Sequence, residues 1–331
     1  MAVIDLGIDF GSSNTTIYQQ GFGIVLKEPS VIALRKERKL EVVAVGSKAK
    51  RLVGKVSANT QVVYPIRDGV ITNNDAAILL LKKLIARLLP EGSFKPRIRA
   101  LVSIPCGLSL AERKAYETVM QKAGVNEVTF IDTPIAISRL LSHGGVVVSI
   151  GGGVTDVALV ANNEIIDGAS INIAGDAINN AITDYLYEKQ NVKIGQATTE
   201  KIKLAIASLY ANDTSSIEVI GRDADSGAQR TFIITAKEVC DLIEPLLKKI
   251  TDIISSMITY APTEVAETMT ENGIYLCGGT ALLPGLCEYM ANLVRMKVTL
   301  LDDAQSTVIN ALGTLVGERD KLAEFLKLTK I

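Results

Sequence analysis

Two glycine-bearing turns hold the residue types that grip phosphate. The first reads Leu6-Gly7-Ile8-Asp9-Phe10-Gly11-Ser12-Ser13-Asn14-Thr15-Thr16. The second, about 140 residues later, reads Val148-Ser149-Ile150-Gly151-Gly152-Gly153-Val154-Thr155-Asp156. Each is an apolar strand, a turn of small residues and a second strand. Glycine has no Cβ and tolerates positive φ, so such a turn brings backbone N–H groups close to an anion. Ser12, Ser13 and Asn14 add side-chain donors. Asp9 closes its strand just before the turn, where a carboxylate would hold Mg²⁺ through water, because Mg²⁺ keeps several of its waters. Asp156 could serve a similar structural or polar role in the second turn, or none. One turn alone says little. Two related turns predict a duplicated fold that holds one polyphosphate from both sides.

Three further segments add polar chemistry. Glu200 and Lys203 are one helical turn apart and share a face, so both reach a ribose or a base edge; an exposed ion pair is the plain alternative. Gly278 and Gly279, ahead of Thr280, let the backbone lie close against a flat ring. Gly175 and Asp176 open a helix.

These groups need a frame. Residues 3–9, 15–21, 24–27 and 30–34 read as short strands rich in Val, Ile and Thr. Helices are expected over 75–89, 109–123, 134–141, 176–188, 198–210, 236–260 and 284–295, with further strands at 97–104, 128–131 and 273–277. Ser109 and Glu112 make a capping box. Residues 217–221 and 230–234 read as a hairpin. The same order of strands and helices occurs twice, which predicts an α/β fold with helices on both sheet faces.

The chain has 331 residues, enough for two domains, and 48% of them are hydrophobic, enough for a sizeable core. A net charge of −1 argues against a nucleic-acid footprint. Cys106, Cys240, Cys277 and Cys287 show no metal spacing and read as reduced thiols of a cytoplasmic protein. No apolar run is long enough to span a membrane, and acids within the first apolar stretch make it a strand rather than a signal peptide.

The chain resembles the actin, sugar-kinase and heat-shock-chaperone ATPase superfamily, and within it the MreB bacterial actins. Besides the two turns, the resemblance rests on Tyr64-Pro65-Ile66-Arg67-Asp68-Gly69-Val70-Ile71, Ile104-Pro105-Cys106-Gly107, Ala174-Gly175-Asp176, Glu200-Lys201-Ile202-Lys203 and Leu276-Cys277-Gly278-Gly279-Thr280, in order over nearly the whole chain. It implies duplicated actin-like (ribonuclease H-like) domains around a nucleotide cleft, in four subdomains. Residues 1–137 plus 310–331 would form the first domain, with a small lobe at about 33–66; residues 138–309 would form the second, with a small lobe at about 177–235. It also implies ATP/ADP with Mg²⁺, phosphate contacts at Gly11–Asn14, Gly151–Gly153, Gly175 and Asp176, and nucleoside contacts at Glu200, Lys203, Gly278, Gly279 and Thr280.

Three positions depart from the MreB pattern. Thr133 stands where the family has Glu, Ser149 where it has Asp, and Val154 where Thr is common. A carboxylate at the first is the group that orders the attacking water, so hydrolysis is expected to slow by about 10²–10⁴-fold while binding suffers less. Asp132 is expected to point away from the cleft. The implied function is an ATP-binding filament subunit for cell shape or motility, stacked head to tail, with antiparallel doublets as in the family and paralogues as further partners. The departures suggest a specialised paralogue of the kind found in wall-less helical bacteria. A small-molecule kinase and a non-polymerising ATP-dependent regulator are the alternatives. Two membrane contacts are candidates: Leu88, Leu89 and Phe94, and a basic apolar helix over 320–331, although such a stripe is more often a terminal helix docked on its own domain.

Overall fold

The computed structural model describes residues 2–37, 40–90, 96–141, 144–162 and 164–318, with the side chain of Thr268 excepted. Two five-stranded sheets dominate it. The first contains β1 (Val3–Phe10), β2 (Asn14–Gln19), β3 (Gly23–Pro29), β4 (Arg97–Ile104) and β5 (Glu127–Asp132) in the order β5-β4-β1-β2-β3. The second contains β6 (Gly145–Ile150), β7 (Thr155–Ala161), β8 (Glu164–Ile171), β9 (Ile274–Cys277) and β10 (Val298–Leu300) in the order β8-β7-β6-β9-β10. The two orders are the same once strands are matched, so the doubling read from the turns extends to the sheets. In each, the central strand pairs antiparallel with the strand after its turn and parallel with a later one.

The centre of the second sheet follows from composition. Every residue of Gly145–Ile150 and of Thr155–Ala161 is buried. Near-continuous Val and Ile runs are what strands covered on both faces require. Each half has its own core. One joins Leu6, Ile8 and Ile17 to Leu80, Leu84 and Met120; the other joins Val146 and Val148 to Ile178, Ile243 and Ile250. A third apolar cluster spans both sheets, with Leu101 and Ile131 from the first, Val147 and Ala158 from the second, and Ile137 and Leu312 between. The halves are therefore packed to one another through side chains as well as through the chain. The helix Thr307–Gly317 lies hard on the first sheet: a Cβ at Gly7 would come 2.9 Å from Leu312 Cβ, and one at Gly313 2.7 Å from the Tyr18 ring.

Two smaller sheets sit beyond these layers. One uses Ile32–Lys36, Leu40–Val45 and Thr60–Val63; the other uses Val192–Lys193, Ser216–Asp223 and Gln229–Thr235. The capping box at Ser109 is present, with the Ser109 N–H donating to Glu112 Oε2 at 2.8 Å.

Several elements differ from the sequence reading. The helix expected over 198–210 runs Gln196–Ile206, because Leu209 N–H is drawn off to the Pro284 carbonyl at 2.9 Å. The helix expected over 75–89 runs Asn74–Ile85 and ends in turns before Pro90, which disfavours helical backbone in the residue preceding it. The helix expected from 284 starts at Leu286, after Gly285 at φ 80°. Thr263–Asn272 is helical although its sequence is mostly polar and acidic. Leu88 and Leu89 are half-buried and pack against the first core. Phe94 and residues 320–331 lie outside the described residues. No helix among the described residues is long and apolar enough to cross a membrane.

Candidate functional site

The two turns have the same local geometry. Gly11 N–H donates to the Asn14 carbonyl at 3.1 Å, and Gly151 N–H to the Val154 carbonyl at 3.0 Å. They also interlock. A Cβ at Gly152 would run into the Ser13 side chain, and one at Gly153 would lie 2.6 Å from Ser12 Oγ and 3.0 Å from Asp68 N. The hydroxyls of the first turn thus fill the space that glycine leaves in the second.

Between the halves lies a cleft of about 730 Å³. It brings together every residue singled out from sequence: Asp9, Gly11–Asn14, Thr133, Ser149, Gly151–Val154, Gly175, Asp176, Glu200, Lys203 and Gly278–Thr280. Gly175 N–H donates to the Gly151 carbonyl at 3.2 Å and Asp176 N–H to the Gly152 carbonyl at 2.7 Å, so the helix Gly175–Gln190 begins on the second turn. Thr280 Oγ1 donates to the same Gly151 carbonyl at 2.7 Å. Gly278 takes φ 94°, and a Cβ there would collide with the Ile150 carbonyl. Its glycine is needed for close approach to β6.

Glu200 and Lys203 are not a solvated pair. Lys203 Nζ lies 2.8 Å from Glu200 Oε2, with side chains only 14% and 35% exposed. Lys203 also donates to the Gly175 carbonyl at 3.2 Å. Asn179, one turn past Gly175, donates to Glu200 Oε2 at 2.7 Å, and its own Oδ1 is buried without a partner among the described residues.

The departures have definite surroundings. Thr133 Oγ1 donates to the Ile104 carbonyl at 3.0 Å. Asp132 accepts from Arg113 Nη2 at 2.7 Å, so it turns toward the helix Leu110–Ala123, as strand alternation predicts. Val154 packs near Gly69, whose added Cβ would lie 3.2 Å from Val154 Cγ1. Ser149 is directly opposed by Asp156 across the second hairpin, whereas in the first Asp9 is opposed by Thr16. Each hairpin therefore carries one acid and one hydroxyl, on exchanged strands. Asp156 Oδ1 accepts from Cys106 N–H at 3.0 Å and from the Ser170 hydroxyl. Burial pushes the carboxyls of both Asp9 and Asp156 up to about 6, and the Asp156 charge adds to the effect on Asp9.

Asp9 fits an ion held through water. Its Oδ1 accepts a long hydrogen bond, 3.5 Å from Ser103 Oγ, and a cation beside it would offset the lost solvation. No group of three ligating side chains occurs among the described residues.

The MreB/Mbl protein family model matches residues 3–324. The chain belongs to the MreB/Mbl family. MreB of Escherichia coli K12, a cell shape-determining protein, is 34% identical over 319 residues, covering 93% of this chain and 92% of that one. The crystal structure of MreB 5 of Spiroplasma citri bound to AMPPNP superposes with a TM-score of 0.89 at 28% identity, over 98% of this chain and 99% of that one. A MamK double helical filament shares the fold, with a TM-score of 0.78 at 19% identity over 95% and 98%. This member of the family is an actin homologue by fold.

Asp156, Asn179, Lys27 and Tyr64 also line the cleft and were not chosen as site residues from sequence. Signals in the sequence point to two of them. Asp156 lies two residues past Val154, at the strand position that Thr16 holds after Asn14, and Asn179 lies one helical turn past Gly175.

Proposed function

We propose that this chain is an ATP-binding bacterial actin that assembles into cytoskeletal filaments serving cell shape or motility, and that it hydrolyses ATP slowly. The observation that carries the reading is the interlock of the two glycine turns over one cleft in an MreB-family fold. The turns present backbone N–H groups to the phosphates from both halves. Glu200 and Lys203 meet the nucleoside, and Asp9 holds Mg²⁺ through water. The ion supplies positive charge for the phosphate oxygens.

Slow hydrolysis follows from the side chains present. The Thr133 hydroxyl is spent on a backbone carbonyl, Val154 offers no hydroxyl, and Asp132 is tied to Arg113. Filament assembly is supported by the family and by the AMPPNP-bound and filament-forming neighbours. Head-to-tail stacking is a heterologous contact that does not close, so it yields filaments rather than rings. Four free cysteines suit a reducing, cytoplasmic setting.

The test follows phosphate release and sedimentation together, in ATP and Mg²⁺, over a protein concentration series. Pelleting with little phosphate release is the expected result. Failure to pellet at every concentration overturns the filament reading.

A further inference from the structure

Four cations line the cleft among the described residues: Lys27, Lys50, Arg67 and Lys203. Three of them face acids of the second half. Lys203 is paired with Glu200, Lys50 lies within electrostatic reach of the same carboxylate, and Arg67 within reach of Asp176. Lys27 is placed differently. Strand register sets Asp9 opposite Thr16 on β1 and β2, and Thr16 opposite Lys27 on β2 and β3. Direct cross-strand partners project from one sheet face, so Asp9, Thr16 and Lys27 form a row, and all three line the cleft. Asp9 and Thr16 flank the first glycine turn. Lys27 reaches in from the next strand, its Cα two strand spacings, about 10 Å, from that of Asp9. Its charge is felt there: burial raises the Asp9 carboxyl, and the Lys27 ammonium works against the rise. Lys27 makes no ion pair among the described residues. Its Nζ donates one long hydrogen bond, 3.4 Å to Gln305 Oε1, a neutral acceptor on the chain after β10 of the second sheet. Gln305 stands beside Gly279, whose added Cβ would lie 4.0 Å from Gln305 Cγ.

From this row we infer that Lys27 is a resident countercharge for the polyphosphate of the bound nucleotide, so that the chain retains nucleotide when Mg²⁺ is scarce. The inference rests on the nucleotide reading above and adds a ligand that the glycine turns and Asp9 do not supply. Backbone N–H groups in the turns carry only partial charge. Asp9 is itself an anion and repels phosphate until a cation stands between them. The Lys27 ammonium is a full positive charge on the same sheet face, carried on a long flexible stem. It gives up only a neutral amide to take the phosphate, so no ion pair has to be broken, and the hydrogen bond it gains is charge-assisted. The stem is exposed, which leaves Nζ room to swing from Gln305 toward the turn. Removing the metal strips one countercharge from the cleft; a side chain cannot be chelated away, so the affinity lost is smaller than it would be without this lysine.

The experiment titrates ADP and AMP into wild type, Lys27→Gln and Lys27→Arg by calorimetry, in EDTA and in saturating Mg²⁺. Glutamine keeps a flexible polar stem and removes the charge; arginine keeps the charge. Lys27 is exposed, so both substitutions leave folding intact. In EDTA, wild type is expected to bind ADP, Lys27→Gln to bind it at least tenfold more weakly, and Lys27→Arg to stay within threefold of wild type. The deficit of Lys27→Gln should be smaller for AMP, which carries one phosphate fewer, and should narrow for ADP in Mg²⁺ and at high salt. An ADP affinity of Lys27→Gln within twofold of wild type in EDTA overturns the inference. So does an equal deficit for ADP and AMP, or a Lys27→Arg that falls as far as Lys27→Gln, since either marks a role in shape rather than charge. A wild type that binds ADP only with Mg²⁺ overturns the inference while leaving the nucleotide reading intact. A wild type that binds ADP under neither condition overturns both.

Discussion

The Thr133 hydroxyl donates to the Ile104 carbonyl at 3.0 Å, across the ends of two adjacent parallel strands. The side chain at position 133, where the resemblance implies a water-ordering acid, thus serves the backbone of β4 and has no donor left for the cleft. Threonine here is a structural clasp where a longer acid would reach the nucleotide.

Restoring the acid should therefore restore rate. Thr133→Glu is expected to raise single-turnover phosphate release by at least tenfold, toward the about 10²–10⁴-fold that a positioned acid or base contributes. Loss of the Ile104 contact should cost about 1 kcal/mol of stability. A variant that melts slightly lower but hydrolyses no faster would show that more than this carboxylate is missing.

The interlock of the turns makes a second prediction. Gly153→Ala would place a methyl group 2.6 Å from Ser12 Oγ and 3.0 Å from the Asp68 nitrogen, which is backbone and cannot swing aside. The halves must move apart to admit it. Nucleotide affinity is expected to fall by tenfold or more, read by titration calorimetry, with each half's circular dichroism signature retained.

A pH dependence follows from Asp156. Its carboxyl is raised to about 6 from an ordinary 3.8, so the folded protein binds the proton more tightly than the unfolded chain. The ionised group thus costs stability above about pH 6, and the cost is relieved as pH falls toward 4. A shift of about two units corresponds to roughly 1–3 kcal/mol. Asp156→Asn should therefore melt higher than wild type at pH 7.5 without nucleotide, and the two should converge near pH 4. Equal melting temperatures at pH 7.5 would contradict the burial cost.

Tyr116 tests the turn that abuts both glycine turns. Its fully buried hydroxyl donates to the Gly69 carbonyl at 2.9 Å, while Gly69 N–H donates to Ser12 Oγ at 3.2 Å. Tyr116→Phe leaves a buried carbonyl unpaired and should cost about 1–3 kcal/mol, measured by denaturant unfolding. Nucleotide affinity should drop as well, because Ser12 loses a fixed neighbour.

Much of this was legible in the sequence for local reasons. Glycine turns, the Ser109 capping box and the Val/Ile runs of β6 and β7 are set by residues close in the chain. So the twofold repeat and the cleft residues could be read directly. What escaped depends on contacts distant in sequence. The end of the helix at Ile206 is decided by a hydrogen bond to Pro284, and the docking of Leu88 and Leu89 by the first core. Asp156 was seen, but its anchoring by Cys106, fifty residues earlier in the chain, was not. Nothing in the local pattern announces that Asn179 completes the Glu200–Lys203 group, since its partner is on another helix.

The fit of Ser12 and Ser13 against Gly152 and Gly153 ties the allowed sizes of the two turns together. A larger residue in either turn is admissible only when the other gives up the matching volume. One turn carries the hydroxyls, the other carries bare backbone, and each is the mould of its twin. Across a set of relatives, positions 12 and 13 should change in step with 152 and 153, and a fragment holding one turn alone should be an unfilled cast rather than a weaker version of the whole.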